Sequence, residues 1–235
     1  MDKKIKFLRD ASEWKHLNLD RLNLAISLGK QQESWSCGPS SGYRALVLNG
    51  DETSRENLQA FIKRCPKTSG KAQTKKGRSI DPRFQLHVPV VNKTLTSKRL
   101  SEFFPDIGPK PRKLAKYISG YSKTSVTGKT FKEFGEFKKK ICNSIEQGKP
   151  TVILLQIKSG NNSKSMTDGF FTLHYVNVVG FNKSTNEFAI LDTGSVVDPT
   201  GHGEILSFLD ETTFSKHSAI TAFYLKGRFH AVCFQ

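Results

Sequence analysis

Two apolar runs joined by a short polar connection constrain the fold of this chain more than any other feature. The first run, residues 173–181, is rich in β-branched residues and has His174 at its start. The second run, residues 188–191, leads directly into Asp192. The polar residues 182–187 between them predict a β-hairpin. Because paired hairpin strands are antiparallel, His174 and Asp192 are expected at the same end of the hairpin.

A second feature is Cys37, which precedes a predicted helix. Pro39 is tolerated in the first turn of that helix because no amide hydrogen is needed there, and Gly50 ends it. A cysteine in most proteins is a small buried hydrophobe. At a helix N-terminus, however, negative charge is stabilised, which favours the nucleophilic thiolate. Gln31, six residues earlier, carries a side-chain N–H that could bind an oxyanion.

In this order and spacing, these residues resemble the papain-like cysteine peptidases. The closest branch, called C39-like, includes the bacteriocin-processing peptidase domains and their stand-alone relatives. The resemblance covers residues 25–60 and 145–215, and the rest of the chain does not contribute to it. The matching residues are Gln31, Cys37-Gly38-Pro39, His174 with the Val-Val-Gly that follows it, and Asp192, together with the strand-like segment 148–155.

One departure from the family pattern concerns the aspartate. The family usually has Asp-Pro at this position, whereas here Asp192-Thr193 stands there and Asp198-Pro199 follows six residues later. Asp192 is the expected partner of His174, because it ends the second strand of the hairpin. Asp198 is a second candidate for the same role.

The resemblance implies a cysteine peptidase that cleaves peptide or isopeptide bonds in a protein or peptide substrate. Cys37 would be the nucleophile, His174 the base, Asp192 the group that orients the imidazole, and Gln31 an oxyanion donor. The same groups support deamidase or transglutaminase chemistry, such as a bacterial effector might carry. A third hypothesis is a catalytically silent papain-like binding module. No cofactor or metal is expected, since no CxxC or Cys/His cluster occurs.

The order of the predicted elements indicates an α+β fold with two lobes, because helical patterns come first and strand patterns later, without βαβ alternation. The N-terminal helical lobe would carry the Cys37 helix, and a C-terminal antiparallel sheet would carry His174 and Asp192. The pattern of residues 10–28 predicts an approach segment, one that leads toward Cys37 and is part strand. The predicted helices are 39–49, 54–65 with Ser54 as N-cap, 96–104, 111–119 and 130–147. The predicted strands are 151–157, 171–179, 187–192, 203–207, 219–225 and 229–234.

The chain of 235 residues carries a net charge of +16, and this charge is uneven. Residues 63–116 hold fifteen Lys and Arg against three acidic residues. We therefore expect a single domain, 1–235, with a basic helical and loop insertion at about 63–120. The insertion is either a docking surface for an acidic partner or a solvated loop. The absence of a nucleic-acid motif and of interleaved aromatic residues argues against nucleic acid.

Two further observations concern location. No apolar run approaches the roughly 20 residues of a membrane span, and no apolar core follows the basic N-terminus as in a Sec signal peptide. The four cysteines are widely spaced, which is typical of a reducing compartment. The expected location is the cytoplasm, or a host cytosol reached without a Sec signal. Oligomeric state cannot be predicted from these features.

Overall fold

The computed structural model describes residues 3–30, 36–51, 57–66, 109–158, 171–194, 205–220 and 228–235. Within these ranges the chain forms seven helices and seven strands. The helices are α1 (Lys3–Asp10), α2 (Leu19–Ser27), α3 (Cys37–Asn49), α4 (Leu58–Arg64), α5 (Pro111–Ser119), α6 (Phe134–Glu146) and α7 (Glu211–Ser218). The strands are β1 (Trp14–His16), β2 (Val126–Phe131), β3 (Thr151–Lys158), β4 (Phe171–Asn182), β5 (Glu187–Leu191), β6 (Leu206–Asp210) and β7 (Phe229–Phe234).

The strands form one antiparallel sheet in the order β2-β7-β3-β4-β5-β6, and β1 pairs with the end of β4. Strands β4 and β5 are the predicted hairpin, closed by the pair Asn182 and Glu187. Asn186 takes the left-handed conformation in its turn, with φ of 55°. The predicted α+β class is therefore confirmed. The N-terminal region is not wholly helical, however, because Lys15 of β1 pairs with Phe181.

Alternating side chains of the sheet build a separate core on each face. Along β3, Val152 and Leu154 belong to the core that includes helices α1 to α5. Ile153 and Leu155 belong to the core that includes α6 and α7. This alternation is the two-residue period of a strand that is covered on both faces. The aromatic side chains of α6 belong to the second core, and its Phe137 ring stacks on Phe214 of α7.

Helix α3 is the central element of the first core. Every residue from Cys37 to Leu48 is buried, and Gly50 ends the helix with φ of 78°. Gly42 lets α5 approach closely, since a Cβ there would lie 2.8 Å from Cδ1 of Ile118. The predicted helices 39–49 and 111–119 are both confirmed, the first with a start two residues earlier.

A fully buried arginine joins α3 to the end of α2. Arg44 donates hydrogen bonds to the carbonyl oxygens of Ala25 (3.1 Å), Ser40 (3.3 Å) and Gly29. Two of these carbonyls lie at the C-terminal end of α2, where the helix dipole favours a cation. Burial lowers the pKa of Arg44 to about 10, so the guanidinium still carries its charge at neutral pH.

Several sequence predictions were wrong at element boundaries. The predicted approach segment 10–28 does contain a strand, β1, but its residues 19–27 form helix α2, because Asn18 caps the helix and accepts a hydrogen bond from the Arg21 amide. Helix α4 begins at Leu58 and has Asn57, not Ser54, as its N-cap. In both cases an asparagine one residue before an apolar run satisfies an amide of the first turn.

The later half shows two similar corrections. The predicted helix 130–147 begins only at Phe134, since Thr130 and Phe131 pair with β7 as the end of β2. The strand predicted at 203–207 is β6, which starts at Leu206, and its last residue, Asp210, caps the unpredicted helix α7. Of the predicted strand 219–225, the described part contains one bridge, Ile220 to Arg228. The predicted helix 96–104 lies outside the described residues.

None of the helices in the described ranges combines the length and the apolar character that a membrane crossing requires.

We predict that Arg44→Met lowers the free energy of unfolding by about 2–4 kcal/mol, because the carbonyls of Ala25 and Gly29 would be left without their donor. Urea denaturation followed by circular dichroism measures the change. Arg112→Met, at an exposed position, is the matched control and should stay within about 0.5 kcal/mol of the wild type. Equal effects of the two substitutions would contradict a stabilising role for Arg44.

Candidate functional site

Cys37 is the first residue of α3, as the sequence predicted for a cysteine at or just before a helix start. Ser36 is the N-cap residue, and its carbonyl accepts a hydrogen bond from the Ser40 amide at 2.8 Å. Cys37 is 5 % exposed and so lies at the edge of the core. The backbone amides of a first helical turn favour negative charge at this position.

His174 and Asp192 are brought together by the hairpin. Strands β4 and β5 pair Asn177 with Leu191, so Asp192 follows the last pair at the end where His174 lies. The His174 Nε2 atom is 2.5 Å from Oδ1 of Asp192, and both residues are buried. The expected juxtaposition of these two side chains is thus present.

The imidazole of His174 also contacts the cysteine. Cys37 lies close enough to raise the pKa of this ring, and because Nε2 is bonded to Asp192, Nδ1 is the ring nitrogen left for the thiol. Burial alone would lower the pKa of His174, but the hydrogen bonds and charges of Asp192 and Cys37 outweigh it and raise the pKa to about 10. The imidazolium is therefore the favoured form of this ring at neutral pH.

Hydrogen bonds of nearby backbone groups fix the position of the Asp192 carboxylate. Oδ1 accepts a hydrogen bond from the Gly194 amide at 2.8 Å, and the Asp192 amide donates to the Ile205 carbonyl at 2.7 Å. The first contact is the Asx turn for which an Asp-Thr-Gly sequence is suited. The second contact joins the end of β5 to the start of β6, so the carboxylate is held by both segments.

Two polar residues that sequence reasoning missed, Ser41 and Asn177, position α3 against β4. Ser41 donates from Oγ to the Tyr175 carbonyl at 2.9 Å, and its own carbonyl accepts from Nδ2 of Asn177 at 3.1 Å. Since Tyr175 follows His174, these bonds set where Cys37 lies relative to the imidazole. The sequence contained one signal for these hydrogen bonds. Ser41 lies inside an otherwise buried helix and Asn177 inside an apolar strand, and a polar group without a partner is costly in such surroundings.

Tyr175 additionally connects the site to the far end of the predicted insertion. Its hydroxyl donates to the Pro109 carbonyl at 2.7 Å. Its ring lies against Gly38, where a Cβ would be 3.1 Å from Cδ2 of Tyr175 and 3.3 Å from Cδ of Pro109. Pro109 is thus adjacent to the residues that follow both Cys37 and His174. Nothing in the sequence pattern indicated this contact.

Other predicted site residues cannot be placed. Gln31, the expected oxyanion donor, and Asp198, the second candidate for the orienting residue, lie outside the described residues. Among the remaining histidines in the described ranges, His16 and His217 donate to backbone carbonyls and His230 contacts Thr130, so each has a structural contact. Within the same ranges, no group of three or more His, Cys, Asp or Glu residues could hold a metal ion.

A thiol, an imidazole and a carboxylate in a chain of contacts are the groups that thiol-based nucleophilic catalysis requires. The imidazole can accept the thiol proton, and the carboxylate can keep the ring in one orientation. The arrangement can therefore attack a carbonyl carbon and form a thioester. The arrangement of these three groups does not by itself indicate which acyl group is transferred.

Comparison with known families agrees with this chemistry. The model of the Peptidase_C39 like family matches residues 24–208, which is most of the chain, and the chain belongs to this family. Family membership and the fold support a cysteine peptidase in general terms. The matched range includes Cys37, His174 and Asp192.

Solved structures and curated proteins add less. A solved structure from Bacillus anthracis, described as a candidate C39-like peptidase, is similar at 14 % sequence identity with a TM-score of 0.36. The similarity covers 56 % of this chain and 61 % of that protein, so the chain spans about three fifths of that protein's length. No curated protein matches the chain.

We predict that iodoacetamide alkylates Cys37 faster than the other three cysteines near neutral pH. All four cysteines are free, but burial raises the pKa of Cys65 to about 12 and also raises the pKa of Cys142 and Cys233. Cys37 alone has a helix N-terminus and the His174 imidazole beside it. Mass spectrometry of tryptic peptides over time gives the four rates. Equal rates would remove the support for a reactive thiol.

We also predict a pH-dependent contribution of His174 to stability. Since its pKa is raised from 6.5 to about 10, the imidazolium stabilises the fold fully below about pH 6.5 and loses this effect as the pH rises through about 10. The wild type should therefore exceed His174→Gln in free energy of unfolding by more at pH 6 than at pH 10, with a change of at most about 1.4 kcal/mol per pH unit. Denaturation of both proteins across this range measures the difference. A constant difference would contradict the raised pKa.

Proposed function

We propose that this chain is a cysteine peptidase that hydrolyses peptide or isopeptide bonds through Cys37, His174 and Asp192. The observation that carries the proposal is the contact of one buried imidazole with both the cysteine at the start of α3 and the carboxylate at the end of β5. Membership in the Peptidase_C39 like family supports the same reaction class. We further propose that the chain is one domain with a basic insertion at about 63–120.

The proposed mechanism starts from a Cys37 thiolate and a His174 imidazolium, a pair that forms when the thiol proton passes to the imidazole. The thiolate attacks the carbonyl carbon of the scissile amide, and the oxygen of the tetrahedral intermediate is bound by the Cys37 backbone N–H and the Gln31 side chain. The His174 imidazolium then protonates the leaving amine, and water hydrolyses the thioester. Asp192 orients the ring throughout and stabilises its positive charge.

The contact with His174 favours Asp192 over Asp198 as the orienting residue. An intact set of thiol, imidazole and carboxylate also favours an enzyme over a catalytically silent binding module. The free cysteines are compatible with a reducing compartment, such as the cytoplasm or the host cytosol expected of an effector.

Cleavage-site profiling on a peptide library tests the proposal, with Cys37→Ala as the control. Cleavage that is lost in Cys37→Ala supports the peptidase. Release of ammonia from glutamine side chains without chain cleavage would replace it with a deamidase or transglutaminase. A peptide probe with a C-terminal electrophile that labels no cysteine, combined with no turnover of either kind, would overturn the enzyme proposal.

We predict that Asp192→Asn lowers kcat about 10²- to 10⁴-fold, because an amide at this position favours the wrong imidazole tautomer. The asparagine oxygen can still accept the hydrogen bond of the Gly194 amide, so the fold is expected to survive. Steady-state kinetics on the best library peptide measures the loss, and circular dichroism checks the fold. Asp198→Asn is the matched control and should reduce kcat far less. The reverse ranking would assign the orienting role to Asp198.

A further inference from the structure

A basic surface on helix α5 lies next to the candidate site. It consists of Arg112, Lys113 and Lys116, which are exposed on the helix, and we call it the α5 surface. Residues 109–132, all of them described, contain seven Lys and Arg residues and no Asp or Glu. This stretch therefore has no acidic residue of its own to neutralise the surface.

The basic residues at the start of α5 are unfavourable for the stability of this helix. Arg112 and Lys113 lie in the first turn of α5, which has no acidic residue, and the N-cap residue Lys110 makes no side-chain cap hydrogen bond. Cations in a first turn oppose the helix dipole, whereas glutamate there would be favourable. Within the described helix, the first turn therefore offers no acidic side chain that would offset this positive charge.

The α5 surface begins close to the residues that follow Cys37 and His174. Pro109, two residues before the helix, accepts the hydrogen bond of the Tyr175 hydroxyl and packs close to Gly38. Gly38 follows Cys37 and Tyr175 follows His174. A polypeptide whose scissile bond lay at Cys37 would therefore pass near the start of α5.

We propose that the α5 surface binds an acidic segment of the polypeptide substrate, next to the bond that is cleaved. This inference rests on the proposed function and adds a substrate class to it. Complementary charge would raise the association rate and select acidic sequences, while the Cys37 site would act on any accessible amide.

The exposed residues of α5 fit a polypeptide better than a membrane or a nucleic acid. In the described part of the chain, the exposed large hydrophobic side chains are Phe7 and Leu24, on α1 and α2. A helix that lies in a membrane surface needs apolar side chains beside its basic ones. Single-stranded nucleic acid is usually bound by aromatic stacking, and the Tyr117 and Tyr121 rings of this region instead pack against Phe61.

Binding is tested in the Cys37→Ala background, so that no turnover is needed. The probes are a fluorescein-labelled peptide of alternating glutamate and glycine and the same peptide with glutamine in place of glutamate. Fluorescence anisotropy should show at least about tenfold weaker binding of the glutamate peptide to R112E/K113E than to the parent, and this loss should shrink near 0.5 M salt. The glutamine peptide should bind weakly to both proteins.

The matched control is K132E/K139E, which makes the same change in charge at two exposed residues. Lys139 is on α6, whose core is on the opposite face of the sheet. This control should keep the binding of the parent. Loss of folding cannot imitate the expected result, since glutamates in the first turn of α5 should maintain or raise the Tm.

Three outcomes would overturn the inference: equal weakening by the two double variants, equal binding of the glutamate and glutamine peptides, or a loss in R112E/K113E seen only with an RNA oligonucleotide or with phosphatidylserine vesicles. Failure of the peptidase proposal would be seen separately, as no turnover of any library peptide by the protein with Cys37 intact. In that case the anisotropy result still decides whether the α5 surface binds acidic polypeptide.

Discussion

Two hydrogen bonds of Ser41 hold the central helix against the sheet, and the geometry of the candidate site depends on them. The Ser41 hydroxyl donates to strand β4 at Tyr175, and the Ser41 carbonyl accepts from Asn177 on the same strand. A hydrogen bond between buried groups is costly to break, because a lost partner leaves a polar atom away from water. Helix α3 therefore has one preferred position along β4. Cys37 and His174, four and one residues away from these contacts, take their separation from that position.

The same logic explains why the central helix is polar in sequence although it is buried. Its first half contains serines and glycines, and its second half contains Arg44. The small residues let Tyr175 and α5 approach the helix closely, and Arg44 satisfies carbonyl oxygens at the end of α2. Gly29, one of its partners, precedes Gln31 by two residues. A single buried cation thus connects helix α3 to the segment that leads to the proposed oxyanion donor.

The features that could be predicted from the sequence are those set by local patterns. Helix α3, helix α5 and the β4–β5 hairpin each have their own start, stop or turn signals, and each was predicted with nearly its observed bounds. The meeting of His174 with Asp192 followed from the hairpin alone. The wrong boundaries arose where two signals competed. Phe131 continues the apolar stripe of α6 by spacing, but its backbone pairs with Phe229 in the sheet while its ring packs against Phe137 of α6.

Contacts between distant parts of the chain could not be predicted in this way. Gly38, Pro109 and Tyr175 are far apart in sequence, and no periodicity relates them. Their meeting depends on how α3 and α5 pack on one face of the sheet, which is a property of the whole core. In sequence, the basic region is remote from Cys37. Its last part, α5, is nevertheless packed against helix α3, which begins at Cys37, with Ile118 against Gly42. The charge on α5 therefore lies where it can act on the same polypeptide as the thiol of Cys37. The distance between α5 and Cys37 along the sequence gives no indication of this proximity.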